Sequence, residues 1–336
     1  MTLKAAVVGF GGLGRTHAQT LSKLDGVELV ALCDKHAERI KSGDLAINID
    51  TGAKTLDASK CRAYTDMKEM LRREKLDIVA LAVPTDLHAP LAIAAMKAGC
   101  HVFCEKPMAL STRQCDSMLA ASRAAGRQLM IGQCLRFWWE YDALLKMIRS
   151  GTHGKLISLS LERLGNYPDW TADNWMLDSK RSGGAILDLH LHDVDWALYA
   201  LGKPTRLFSS ARIGRTGGYD EVAAVWEYDG GPMVAIRGSW LHTSFLMTFR
   251  AIFENAVVEY GFPPDPALRV IRRSGQTEKM TSPGGSAYFD EMKYFVECVA
   301  GARENSVCPP ESTRESVNLV MLEIKSASKG RPLTPA

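Results

Sequence analysis

The chain has 336 residues and a mass of 36.9 kDa, a length that suits two domains better than one or three. Hydrophobic residues make up 46% and charged residues 24%, which excludes a disordered or fibrous chain and supplies a core that needs no disulfide or structural metal. Lys plus Arg number 41 against 38 Asp plus Glu, and a net charge of +3 leaves no electrostatic footprint for nucleic acid or an anionic membrane.

Over residues 1–132, short apolar runs at 5–8, 28–33, 78–83, 101–104 and 129–131 alternate with helically spaced segments at 13–24, 66–74, 87–98 and 111–125. That rhythm predicts βαβ units and a parallel sheet. Residues 43–60 break it and read as an irregular or weakly helical insertion. Beyond Trp139 the strand-like runs lengthen, at 155–164, 206–213, 221–228, 232–241, 247–253 and 256–260, with Gly230-Gly231 as a hairpin turn. Helices are expected near 137–150, 185–201 and 286–300. A last one, over 312–328, is marked by a capping box from Ser312 to Glu315 ahead of Val317, Val320, Met321 and Ile324. The expected fold is α/β, a doubly wound parallel sheet over residues 1–132 followed by an α+β domain over 133–336 with an open, mainly antiparallel sheet. The last helix is expected to pack back on the first domain.

The eight cysteines, at 33, 61, 100, 104, 115, 134, 298 and 308, form no CxxC pair and lie scattered, several of them in apolar runs. They read as reduced core residues, which favours the cytoplasm. Cys100 and Cys104 would hold a metal only if other ligands converged, and no metal is expected. The apolar start breaks at glycines after a few residues, so it reads as a first strand rather than a signal peptide. No run approaches the ~20 apolar residues of a membrane span.

Gly9-Phe10-Gly11-Gly12-Leu13-Gly14 satisfies GxGxxG, follows an apolar strand and opens a helix, and a second strand ends at Asp34, 20 residues after Gly14. Gly9 permits the tight turn, Gly11 lets the backbone approach a pyrophosphate, and Gly14 allows close helix–strand packing. The helix start offers N–H groups and a positive dipole end to phosphates. Asp34 suits the ribose hydroxyls of NAD and repels a 2′-phosphate, while Lys35 beside it keeps NADP open. Glycines that serve packing alone are the competing reading. At the end of the 101–104 strand, Glu105-Lys106-Pro107 places Lys106 on the ligand side of a doubly wound sheet, although a solvated lysine would look the same.

These segments together resemble the Gfo/Idh/MocA oxidoreductases. The resemblance extends from Gly9–Gly14 with Arg15-Thr16-His17, through Pro84-Thr85 with His88 and the GCHVFCEKP run, to Gly132–Phe137 containing Arg136-Phe137. It continues at Gly183-Gly184 with Asp188, His192 and Asp193, and into the GRPL tail, so it covers nearly the whole chain in order. His190 departs from the small residue usual two positions after the aspartate. It would either crowd a substrate or face away. The resemblance implies NAD(P) held by Gly9–Gly14, Asp34, Lys35, Pro84, Thr85, His88, Glu105 and Lys106. It implies hydride transfer at a secondary alcohol of a sugar, inositol or similar polyol, with His192 as acid/base, Lys106 polarising the substrate oxygen and Asp188 beside them. It also implies a homodimer or homotetramer formed through the second sheet.

Asp188 and His192, four apart, share one face if their segment is a helix. Imidazole is the side chain best suited to move a proton near neutral pH. His190 and His192 point about 200° apart in a helix, at ~100° per residue, so they would not chelate one ion. His17 reads as helix packing. Arg136, Arg163, Tyr167 and Trp175 are candidate substrate contacts, the aromatic ones lying in a loop rich in polar residues that suits a polyhydroxylated ligand. Two alternatives remain: a non-catalytic NAD-sensing regulator, and a dehydrogenase of a non-sugar substrate such as a trans-dihydrodiol.

Overall fold

The first apolar run forms β1 (Leu3–Val8), and its residues Ala5, Ala6 and Val7 are fully buried. Burial on both faces predicts a strand inside a sheet covered by helices on each side. The structure is a computed structural model that describes residues 2–41 and 58–335. The chain divides into two units, Met1–Cys134 with Gly285–Arg314, and Leu135–Gly284 with Glu315–Ala336.

In the first unit β1 leads through α1 (Gly12–Lys23) to β2 (Val27–Cys33) and α2 (Ala37–Lys41). Then come β3 (Arg62–Tyr64), α3 (Met67–Arg73), β4 (Ile78–Leu81), α4 (His88–Lys97), β5 (His101–Glu105), α5 (Thr112–Ala125) and β6 (Leu129–Gly132). All six strands pair in parallel in the order β3-β2-β1-β4-β5-β6. The order reverses between β1 and β4, and in such sheets ligands bind beyond the strand ends at that switch point. The expected doubly wound sheet is therefore present. β3 escaped the sequence reading because three residues at a sheet edge, none of them buried, leave no apolar run. The insertion expected over 43–60 lies outside the described residues apart from a short 3₁₀ turn at Ala58–Lys60.

The second unit begins with α6 (Trp139–Ser150) and β7 (Leu156–Leu164), followed by three short helices, α7 (Ser179–Ser182), α8 (Gly184–Asp188) and α9 (Leu191–Leu201). Seven strands follow: β8 (Arg206–Ile213), β9 (Tyr219–Glu227), β10 (Met233–Ser239), β11 (Leu246–Phe253), β12 (Ala256–Tyr260), β13 (Arg269–Arg272) and β14 (Thr277–Lys279). The sheet runs β14-β13-β12-β11-β7-β10-β9-β8 and is antiparallel except where β7 lies parallel to β10. Its inner face buries Leu159, Leu161, Val222, Trp226, Ile236 and Phe249. Its outer face mixes exposed Phe208, Val225, Met233 and Ile252 with ion pairs such as Arg237–Glu221 and Arg250–Glu259.

Two boundaries differ from expectation. The single helix read over 185–201 is broken at Leu189-His190, because His190 N–H reaches back to the Ala185 carbonyl while His192 N–H bonds Leu189. Residues 285–314, assigned by the sequence division to the second domain, belong to the first unit. There α10 (Ala287–Val299) packs on α1, β5 and β6. The last helix, α11 (Pro310–Lys329), opens in the first unit, where Arg314 pairs with Asp116 at 2.9 Å, and from Glu315 onward it belongs to the second. All eight cysteines are free, and burial pushes the Cys33 and Cys115 thiols up to about 12 and Cys100 to about 11, so these three stay protonated and inert. No helix among the described residues is long and apolar enough to cross a membrane.

Candidate functional site

The glycine turn divides three of its glycines between two tasks. Gly9 has φ +87°, and a Cβ there would lie 2.3 Å from the Ala82 carbonyl oxygen. A Cβ on Gly14 would lie 1.8 Å from the Gly9 carbonyl oxygen, so both positions are closed to any side chain. Gly11 is different: nothing lies within 4 Å of its Cβ position, which leaves the backbone open to an approaching group. Gly11 also caps α1, whose first turn carries no acid and whose start has no side-chain cap, while Gly12 and Leu13 beside it are only half-buried. A pyrophosphate fits such a helix start. Asp34, at the end of β2, is 5% exposed and is tied to this turn, its carboxylate accepting from Phe10 N–H at 2.7 Å and His36 N–H at 2.9 Å. Two backbone bonds leave lone pairs for ribose hydroxyls. Lys35 is exposed, and the Arg39 guanidinium lies 3.6 Å from Asp34. These residues fit NAD.

The ends of β4 and β5 are braced from inside. Thr85, after Pro84, is buried in a 3₁₀ turn, and His88 beyond it has Nδ1 2.7 Å from the Pro107 carbonyl and Nε2 2.9 Å from the Val83 carbonyl. Burial lowers the His88 pKa against the pull of these two carbonyls, and the ring bridges the two strand-end turns. Glu105 also turns inward, its Oε1 2.6 Å from Nε2 of His17 on α1. Both side chains were expected on the cofactor; in the structure their polar atoms have internal partners. Lys106 is half-exposed, and its backbone N–H donates to Glu105 Oε2 at 3.2 Å.

In the second unit, Asp188 closes α8 and His192 lies in the first turn of α9. Asp188 is buried and His192 half-buried. Two buried ion pairs fix this corner. Arg163 on β7 donates to Asp193 through Nε at 2.9 Å and Nη2 at 3.2 Å, with the Tyr141 hydroxyl beside them. Arg136 donates to Asp195 at 2.8 and 2.7 Å, and Ser316 Oγ adds a bond to the same carboxylate at 2.6 Å. Arg136 and Arg163 were expected to bind substrate, and the structure gives both of them aspartate partners. Their side chains are 0% and 5% exposed and each is spent on an aspartate of α9. His190 faces away into the core, with Nε2 2.7 Å from Glu323 Oε2, while Trp226 Nε1 donates to the other Glu323 oxygen at 2.7 Å. Gly238 makes room for it, since a Cβ there would lie 2.5 Å from His190 Cβ.

Tyr167 and Trp175 are half-buried in the 165–180 stretch. The Tyr167 hydroxyl accepts from Arg215 N–H at 2.9 Å, and burial raises its pKa. Just before Trp175, Asp173 and Asn174 have φ of 54° and 47°, two successive left-handed non-glycine residues of the sort that cluster at functional loops. The sequence reading missed Glu291 on α10, which lies with His17 and Glu105; no motif surrounds it.

Comparison with known proteins agrees with this layout. A model described as an oxidoreductase family with an NAD-binding Rossmann fold matches residues 3–133, and the GFO/IDH/MocA C-terminal domain model matches residues 141–259. The myo-inositol 2-dehydrogenase of Thermotoga maritima is 28% identical over 245 residues, covering 70% of this chain and 68% of that protein. The D-glucoside 3-dehydrogenase of Escherichia coli is 27% identical over 282 residues, covering 79% and 76%. Among solved structures, the WlbA dehydrogenase of Bordetella pertussis in complex with NADH and UDP-GlcNAcA superposes with a TM-score of 0.81 at 21% identity, over 100% of this chain and 99% of that one. The likeness to that structure is one of fold.

Proposed function

We propose, for a chain that belongs to the GFO/IDH/MocA family of NAD-binding oxidoreductases, that it transfers hydride between nicotinamide and a secondary alcohol or ketone of a sugar, inositol or related polyol. One chain carries an NAD-binding turn open at Gly11, Lys106 just beyond β5 and the Asp188/His192 pair, and that combination carries the reading. The names of the inositol and glucoside dehydrogenases among its relatives support the substrate class.

When bound, the nicotinamide ring accepts or returns the hydride. His192 takes the hydroxyl proton on oxidation and returns it on reduction, a task for which imidazole needs no unusual pKa. The Lys106 ammonium holds the substrate oxygen and favours its developing negative charge. Asp188 orients His192 and bonds a neighbouring substrate hydroxyl. Tyr167 and Trp175 offer ring faces to the C–H faces of a polyol. The outer face of the second sheet, with Phe208, Val225 and Met233 exposed, forms the homodimer or homotetramer contact. The location is cytoplasmic, in keeping with eight free thiols.

NADH absorbance read across inositols, aldoses, glycosides and nucleotide sugars tests this. Turnover of at least one of them is expected. Saturable NAD binding with no turnover across the panel would instead make the chain a sensor of the dinucleotide, and turnover confined to a trans-dihydrodiol would overturn the substrate class.

A further inference from the structure

The ligand atoms of His17, Glu105 and Glu291 lie within 4.8 Å of one another, each from a different element of the first unit. His17 and Glu291 are fully buried and Glu105 is 6% exposed. His17 Nε2 and Glu105 Oε1 are 2.6 Å apart, while both Glu291 oxygens and His17 Nδ1 are buried without a hydrogen-bond partner. Around them stand the Phe103 ring, 5.0 Å from the His17 ring and 5.7 Å from that of Phe295, and Gly132 on β6, where a Cβ would approach Glu105 Oε1 to 3.3 Å. Two carboxylates in such a place do not both ionise, because the cost of an unpaired buried charge far exceeds that of holding a proton. The other oxygen of Glu105 accepts from the Lys106 backbone N–H.

We propose that His17, Glu105 and Glu291 form one buried unit whose task is to position Lys106. This rests on the role given to Lys106 above. Glu105 is the charged member, held at one oxygen by His17 and at the other by the Lys106 N–H, with the carboxylic acid of Glu291 packed beside them. Burial first, and then the Glu105 charge, push the Glu291 pKa well above the carboxylate range. The titratable and charged groups facing Glu291 are His17 on α1 and Glu105 at the end of β5; β6 presents the uncharged Gly132. Because His17 lies one turn beyond Gly14, the unit joins the phosphate-binding helix to the residue before Pro107. Glu291 and His17 are positioning residues that act through Glu105.

The test has a readout that needs no substrate. The infrared band of a protonated carboxyl should be present at neutral pH in the wild-type protein and lost in Glu291→Gln. The sign of the stability effect follows from the raised pKa. The native state keeps a proton that the unfolded chain releases above about pH 4.3, so wild-type stability falls as pH rises from there. The Tm advantage of Glu291→Gln should therefore grow with pH over that range. On a turned-over polyol, Glu105→Gln should lower kcat about tenfold or more with little change in KM for NAD, and the isosteric Glu291→Gln should recover most of what Glu291→Ala loses. Absence of the band, wild-type kcat in Glu105→Gln, or a stoichiometric metal ion in the purified protein would overturn the proposal. Full turnover in Lys106→Ala would instead overturn the role of Lys106, and the infrared result would stand apart from it.

Discussion

At Gly14 an added methyl carbon would sit 1.8 Å from a backbone oxygen, whereas at Arg163 the limiting quantity is a pair of buried charges 2.9 Å apart. The dinucleotide turn of the first unit is held by backbone packed on backbone at Gly9 and Gly14, with space left at Gly11. The α8–α9 corner of the second unit is held by side-chain charges, Arg163–Asp193 and Arg136–Asp195, close in the chain to His192, for which we propose the proton chemistry. A ligand that a family shares can be met by main-chain N–H groups, which most substitutions leave in place. A substrate that differs from member to member is met by side chains, and those need a stiff charged frame to hold a corner made of two short helices.

Substitutions separate the two kinds of support. Gly14→Ala should have the largest effect, because neither partner in the clash is a flexible side chain: we expect a loss above about 4 kcal/mol or an unfolded protein, read by urea denaturation, and no NAD binding. Arg163→Met or Asp193→Asn leaves one buried charge unpaired and should cost about 3–5 kcal/mol. Replacing both residues with apolar ones should recover a large part of that loss, which no glycine pair would do. Asp34→Ala removes the acceptor of two backbone N–H groups and of the ribose, so NAD should bind about tenfold to a hundredfold more weakly by calorimetry, with a smaller loss for NADP. Arg314→Ala is the exposed counterpart. Its hydrogen bonds hold the Asp116 pKa below the usual carboxylate value, so the pair contributes above about pH 4 and its contribution fades as pH falls through the Asp116 pKa. With Asp116 half-exposed and screened, the change at neutral pH should stay within about 1 kcal/mol.

The parts of the molecule that repeat a pattern were legible in the sequence. Apolar runs spaced by helices predicted the parallel sheet, and Gly9–Gly14 with Asp34 predicted the dinucleotide turn, since each depends on local rules of backbone and burial. The rest depends on partners distant in sequence. Arg136 and Arg163 read as candidate substrate contacts because their aspartates are 59 and 30 residues away on α9. Glu291 carries no motif because its meaning comes from Glu105, reached only when α10 returns to β5. The break between α8 and α9 was invisible because Leu189 and His190 both keep helical dihedrals, and only the hydrogen-bond pattern changes.

The most direct test compares turnover and cofactor affinity in Lys106→Ala and His192→Ala on a substrate first shown to be turned over by the wild-type protein. Both variants should lose about 10²–10⁴-fold in kcat while NAD dissociation constants stay close to wild type. Near-normal kcat in both would contradict the site.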